Sequence, residues 1–447
     1  MDHYLTNESP SKAISKFALP MAVGSLFQQI YTLVDSAVVG KYVGEAALAS
    51  IGASFALTTI FICIGIGGGA GASVLIARYF GAKDYKRMKT AIFTSIIGFL
   101  VLALGLSAFG LFFAKNLMAL LRTPDEILDM AVLYLNIYFY GLPFLFMYNI
   151  ISALYQALGE SKIPLYFLIF SSLLNVSLDV YFVRDLGFGL AGAAYATLLA
   201  QGLSAVLSFG VFIRRLSKIK TEKTKIFDKK ELGRISYLAI PSIIQQSTIT
   251  IGQLLVQSVV NSFGVGMLAG FSAAIRVESL IIVPITSLGN AISSYTSQNV
   301  GAKKLARLEK GLRASIAMVG IYSVVILICL KFNSANIIAY FMNESSSNLA
   351  KDTGVAYLDF IGYFFILVGS KHCVDGILRG VGDVKVFTLA NIVNLTIRVS
   401  LSMALAHKVG IAMVWYAVPL GWLANLVIST SYYLKIKKQN YSLDSNG

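Results

Sequence analysis

The chain has 447 residues, of which 56% are hydrophobic and only 13% charged, against about 25% charged in soluble domains. That balance excludes a water-soluble domain and marks an integral membrane protein. A formal charge of +15 would suit either nucleic acid or the cytoplasmic loops of a membrane protein, and the distribution of the basic residues decides between them.

Residues 1–16 are polar and mixed in charge. The apolar run that begins at Phe17 is too long for a signal h-region and lacks a small-x-small cleavage site, so the first span is expected to be retained. Stretches long enough to cross a bilayer, which takes roughly 17 to 25 helical residues, lie near 17–39, 48–77, 90–114, 129–157, 163–183 and 189–213. A polar segment follows, SKIKTEKTKIFDKKELGR at 217–234. Six more spans lie near 235–262, 267–298, 314–331, 354–378, 386–406 and 410–434. Cys63, Cys329 and Cys373 each stand alone in an apolar run, which suggests neither a disulfide framework nor a Cys-x-x-Cys site.

Twelve spans place the loops on alternating sides. The side that holds both termini carries 27 lysines and arginines, the other side seven. The positive-inside rule therefore predicts cytoplasmic termini, and the same asymmetry accounts for the basic charge without a nucleic-acid partner. The chain also repeats itself with a period near 220 residues. FALP at 17–20 returns as LAIP at 238–241, YVGEAALA at 42–49 as SFGVGMLA at 262–269, and FGAK at 80–83 as VGAK at 300–303. LNVSLD at 174–179 returns as VNLTIR at 393–398, and GLAGAAYA at 189–196 as GIAMVWYA at 410–417. The expected architecture is all-α, with two six-helix bundles in a parallel repeat about an axis along the membrane normal. The bundles would be 1–216 and 235–447, the latter with a short cytoplasmic tail, joined by a basic cytoplasmic linker at 217–234.

These motifs resemble those of the multidrug and toxic compound extrusion (MATE) transporters. VDSAVVG, RYFGAKDYKR with its copy SQNVGAKKLAR, ALGESK, LNVSLDVYF and GLAGAAYATLLAQ occur in the family's order and spacing, over about Ser15 to Leu434. The major facilitator fold, another pair of six-span halves, carries G-x-x-x-D-R-x-G-R-R after its second span, where this chain reads GAKDYKRMK. The resemblance implies a non-enzymatic secondary transporter in the cell membrane, without cofactors and expected to be a monomer. It would export organic cations in exchange for protons or sodium ions.

Five acids fall inside or at the ends of spans: Asp35, Asp179, Glu278, Asp359 and Asp375. An ionised group near mid-bilayer costs about 2.5 to 3.5 kcal/mol on insertion scales, so such residues face a cavity or a partner. Asp179 lies one turn after Asn175, on a face shared with Ser171 and Ser172. The second copy keeps the asparagine as Asn394 but replaces the acid with Arg398, and Asp35 has an apolar counterpart, Leu255 or Val256. Acids confined to one half are not what scaffolding predicts. By resemblance, Asp35 and Asp179 match the family's cation-coupling aspartates, and Asn175, Tyr134 and Asn149 match polar groups of that pocket, a possible sodium site at Asp35, Asp179 and Asn175 included. Pro20 matches a proline where the first helix bends. Tyr31, Tyr138, Tyr140 and Met147 are candidates to hold a flat organic cation.

In the second half, Arg276 and Glu278 are two residues apart and point to different sides of a helix, while Lys371 and Asp375 form an i, i+4 pair beside His372. A structural role is expected for these and for Asp359. The first helix of that half carries Gln245, Gln246, Gln253 and Gln257 but no acid, which argues against a sodium site there. GIGGGAGAS at 65–73 lacks the Lys-Ser/Thr of a phosphate loop and reads as close helix packing. GVGD at 380–383 matches the Gly-x-Gly-Asp of intramembrane aspartyl proteases, yet it occupies the loop equivalent to ALGE at 157–160 and reads as a turn. Two alternatives stay open: a lipid-linked oligosaccharide flippase of related fold, which would prefer a basic cavity, and an intramembrane protease, which needs two facing aspartates.

Overall fold

The computed structural model describes residues 3–342 and 347–444, with side chains through residue 438. The described residues form helices joined by short turns. After a single turn, α1 (Tyr4–Asn7), come α2 (Pro10–Tyr42), α3 (Glu45–Gly81), α4 (Tyr85–Leu120), α5 (Asp125–Ala157), α6 (Lys162–Asp179) and α7 (Gly189–Ser217). The second half comprises α8 (Lys229–Asn261), α9 (Val265–Gly301), α10 (Ala306–Phe341), α11 (Asn348–Ile361), α12 (Phe365–Val381), α13 (Val384–Val409) and α14 (Ala412–Asp444). α6 runs on through a π-helical turn, Val180–Asp185, and α11 joins α12 through a 3-10 turn, Gly362–Phe364, so each of these makes one span. Among the described residues, eleven segments are long and apolar enough to cross a bilayer. α8 is the twelfth by position. At 33 residues it has the length, and its four glutamines keep its apolarity below that of the others.

The sequence repeat is written into the backbone. Gly44 and Gly264 take φ of 104° and 92°, Lys83 and Lys303 both take 57°, Gly159 and Gly382 take 81° and 84°, and Gly189 and Gly410 take 58° and 99°. Each pair joins positions that the motif alignment makes equivalent. A left-handed lysine is uncommon, so its return in FGAK and VGAK means that the same turn is built twice. GVGD is another of these turns: α12 ends at Val381, Gly382 is left-handed, and Asp383, just before α13, accepts a hydrogen bond from the Tyr432 hydroxyl at 2.7 Å.

By packing, the described residues divide into two compact units, one of residues 3 and 23–243 and the other of residues 4–22 and 244–444. Membership changes inside α2 after Ala22 and inside α8 after Ile243, in each case two residues past a proline, Pro20 or Pro241, within an unbroken helix. In the first unit the glycine run of α3 is a packing surface. A Cβ at Gly71 would fall 2.3 Å from Ala239 Cα, and one at Gly67 would fall 2.6 Å from Ile243 Cα, so the backbones of α3 and α8 touch there. The second unit does the same between α9 and α12, where a Cβ at Gly376 would meet the Gly289 carbonyl at 2.4 Å. α4 and α10 bury only 22% of their most apolar stretches and present the remainder outward, as expected of surfaces solvated by lipid.

Candidate functional site

The acids of the first unit meet. Asp179 is fully buried at the end of α6, where the helix widens into the π-helical turn and the Leu186 N–H reaches back five residues to the Tyr181 carbonyl at 3.0 Å. Single π turns of this kind recur at functional sites. Asp35, half-buried on α2, brings its carboxyl group close enough to that of Asp179 for the two to interact. Asp35 Oδ1 and Asp179 Oδ1 are both buried and find no donor among the described residues.

Asn175 lies one turn before Asp179, as the shared face requires, and is 3% exposed. In the amide orientation that satisfies both of its ends, its Nδ2 donates to Asp179 Oδ2 at 3.2 Å, and its oxygen accepts from the Thr197 hydroxyl and the Thr197 N–H, each at 3.2 Å. Ser172 is buried on the same face with its hydroxyl unpartnered among the described residues, whereas Ser171 is only half-buried. Tyr31 and Tyr134 stand beside both carboxyl groups. A cavity of about 30 Å³ lies among Tyr134, Tyr138, Thr197 and Gln201, enough for a water or two. One turn beyond Asp35, Val39 joins Ala47, Val183, Leu190 and Ala193 in an apolar cluster against which Tyr134 packs. The pocket is thus polar on one side and bordered by aliphatic side chains on the other.

The remaining candidates lie apart from this contact. Asn149 donates to the Leu145 carbonyl of its own helix at 2.8 Å and faces Gly65 of α3. The Tyr138 hydroxyl donates to the Thr58 carbonyl at 3.1 Å, Met147 is half-buried on α5, and Tyr140 is 63% exposed. Pro20 falls in the part of α2 that packs with the second unit. Thr197 is the residue that sequence reasoning missed. The signal was present: in the aligned stretches GLAGAAYATLLAQ and GIAMVWYAVPLGW, Thr197 stands opposite Val418, a polar-for-apolar asymmetry of the kind seen at Asp35.

In the second unit, Lys371 and Asp375 form a buried ion pair at 3.1 Å, tied further by Asn391 and by the Ser429 hydroxyl, which donates to Asp375 Oδ1 at 2.8 Å. Glu278 is buried and Arg276 exposed, as their spacing predicts, and Glu278 Oε2 accepts from the Tyr357 hydroxyl at 2.6 Å. Asp359 lies near Lys331. Among the described residues, no cluster of three or more His, Cys, Asp or Glu side chains could hold a metal ion.

Comparison with known proteins gives this arrangement a context. Two Bacillus subtilis proteins are similar over most of their length: the probable multidrug resistance protein YoeA, 28% identical over 96% of this chain and 94% of its own, and the probable multidrug resistance protein YpnP, 30% identical over 86% and 85%. The fold matches, with a TM-score of 0.89 and 24% identity over 97% of this chain and 98% of the other, the outward-facing structure of a multidrug resistance MATE family transporter of the MOP superfamily. The MatE family model matches twice, at residues 20–181 and 241–404, once for each copy of the repeat. A double match of that extent, on a fold whose turns are themselves duplicated, means that the chain belongs to the MatE family of membrane transporters.

Proposed function

We propose that this protein is a secondary active multidrug exporter of the cell membrane, with both termini cytoplasmic, that releases organic cations outside in exchange for a coupling ion bound at Asp35 and Asp179. The observation that carries this reading is the close approach of two carboxyl groups, each with a buried oxygen that no donor among the described residues satisfies. Two such groups in a low-dielectric pocket repel unless a proton or a cation stands between them. A proton shared between the two groups relieves that repulsion without further ligands, which a sodium ion would need, so we assign the proton to this site. Loading removes negative charge from the pocket and weakens its hold on a cationic substrate. Emptying restores that charge. Each elementary charge carried inward gains about 2.3 kcal/mol per 100 mV of membrane potential, so no nucleotide is needed. Drug-like substrates are supported by the two multidrug resistance relatives.

The acidic pocket of the first unit is unsuited to the pyrophosphate that a flippase would have to hold there. Asp383, bound to a tyrosine in a turn, counts against a protease. The deciding experiment is ethidium efflux from vesicles with proton and sodium gradients imposed separately. Wild type should pump under the proton gradient, and Asp35→Asn and Asp179→Asn should each lose at least tenfold in rate. If both variants pump at the normal rate, the assignment is wrong; if sodium alone drives wild type, the pair holds sodium instead.

A further inference from the structure

The second unit contains a cavity of about 270 Å³, lined in part by the repeat equivalents of residues at or beside the acidic pocket of the first unit. The repeat aligns three of its lining residues with first-unit positions, Asn394 with Asn175, Arg398 with Asp179 and Trp422 with Gln201; through the 223-residue offset of the Gly159 and Gly382 turns, Tyr134 aligns with Tyr357, which is bonded to the lining residue Glu278. The asparagine and the tyrosine are kept while the charge at the central position is inverted. Arg398 lines the cavity, its Nε is buried without an acceptor, and among the described residues its guanidinium forms neither a hydrogen bond nor an ion pair. The Asn394 Oδ1 is likewise buried and unpartnered.

The other charges that face Arg398 are already engaged. Lys371 is held by Asp375 and Asn391, and Glu278, which also lines the cavity, accepts from the Tyr357 hydroxyl and attracts Arg398 without forming an ion pair with it. His372 completes the polar lining, and Ile275, Val283 and Leu395 with Trp422 supply an apolar wall. A guanidinium that makes no direct ion pair inside a membrane span is costly, and its planar fork is suited to carboxylate or phosphate.

We infer that this cavity is a second ligand site, selective for amphipathic organic molecules that carry an anionic group, with Arg398 binding that group and Trp422 packing on the apolar body. It does not rest on the acidic-pair reading, and binding to purified protein tests it separately from transport.

The chain contains two tryptophans, Trp415 and Trp422, so Trp415→Phe leaves one indole, in the cavity wall. Three nitroaromatic quenchers of similar size would be titrated against the full-length protein in detergent: 3-(4-nitrophenyl)propionate, 4-nitrophenyl phosphate and 2-(4-nitrophenyl)ethylamine. The expected result is saturable quenching by at least one of the two anions, with the amine at least tenfold weaker; the tighter anion identifies carboxylate or phosphate as the preferred group. Arg398→Gln should weaken the anion at least tenfold, and Arg398→Lys should recover part of that loss. Equal binding of amine and anions, or unchanged anion binding in Arg398→Gln, would overturn the proposal. The comparison of anion with amine needs no substitution at Arg398, so a variant that fails to fold does not shelter the idea.

Discussion

At the scale of single residues, the chain treats its intramembrane charges in two ways. Lys371 and Asp375 are each 3% exposed and fully tied to each other and to neighbouring polar groups. Such a pair is structural, because removing one partner strands the other without a counter-charge. Asp375→Ala should therefore cost about 3 to 5 kcal/mol, seen as a large drop in the thermal unfolding temperature of the detergent-purified protein, whereas replacing both by methionine and leucine should cost less. Asp179, by contrast, keeps one oxygen free and takes one donor from Asn175. A hydrogen bond to a charged group is worth about 1.5 to 3 kcal/mol, so Asn175→Ala should slow proton-driven efflux roughly tenfold or more. Thr197→Val should do less harm, since the Thr197 N–H still holds the amide oxygen. A larger effect at Thr197 than at Asn175 would mean that the hydroxyl acts on the ion directly.

At the scale of helices, close packing rests on a few glycines whose positions were legible while their partners were not. GIGGGAGAS reads as a packing run from composition alone, but that its Gly67 and Gly71 meet the first half of α8 depends on α8 packing with the first unit up to Ile243. Gly71→Ala would press a methyl group into the Ala239 backbone, and overpacking of this kind costs about 1 to 3 kcal/mol. Gly52→Ala on the same helix meets nothing within 4 Å and should be neutral or slightly stabilising, since alanine is the better helix former. Equal melting temperatures for the two variants would show that the α3–α8 contact yields. The π-helical turn after Asp179 was not legible, because VYFVRD carries no proline or glycine to mark it; the wider turn is imposed by packing, with Val183 buried in the apolar cluster.

At the scale of the whole molecule, spans, duplication and family were all legible, because bilayer thickness fixes helix length and each half repeats the turn residues of the other. The unit to which each helix segment belongs was less so. Apolar periodicity shows that α2 and α8 are helices but not which neighbours cover them, and in both the neighbours change two residues after a proline. A proline inside a helix removes one backbone hydrogen bond and locally softens the rod, so Pro20 and Pro241 sit where bending would let one half of a helix move with one unit and the other half with the other. If they act as hinges, Pro20→Ala should preserve or raise thermal stability, by restoring the missing hydrogen bond, while lowering the rate of ethidium efflux about fivefold or more. The same variant should bind ethidium with unchanged affinity in detergent, which separates a slowed conformational step from a damaged site. Pro241→Ala should behave alike, given the matching position of its proline in the repeat. Wild-type efflux in the double variant would reduce both prolines to passive kinks, whatever ion the aspartate pair carries.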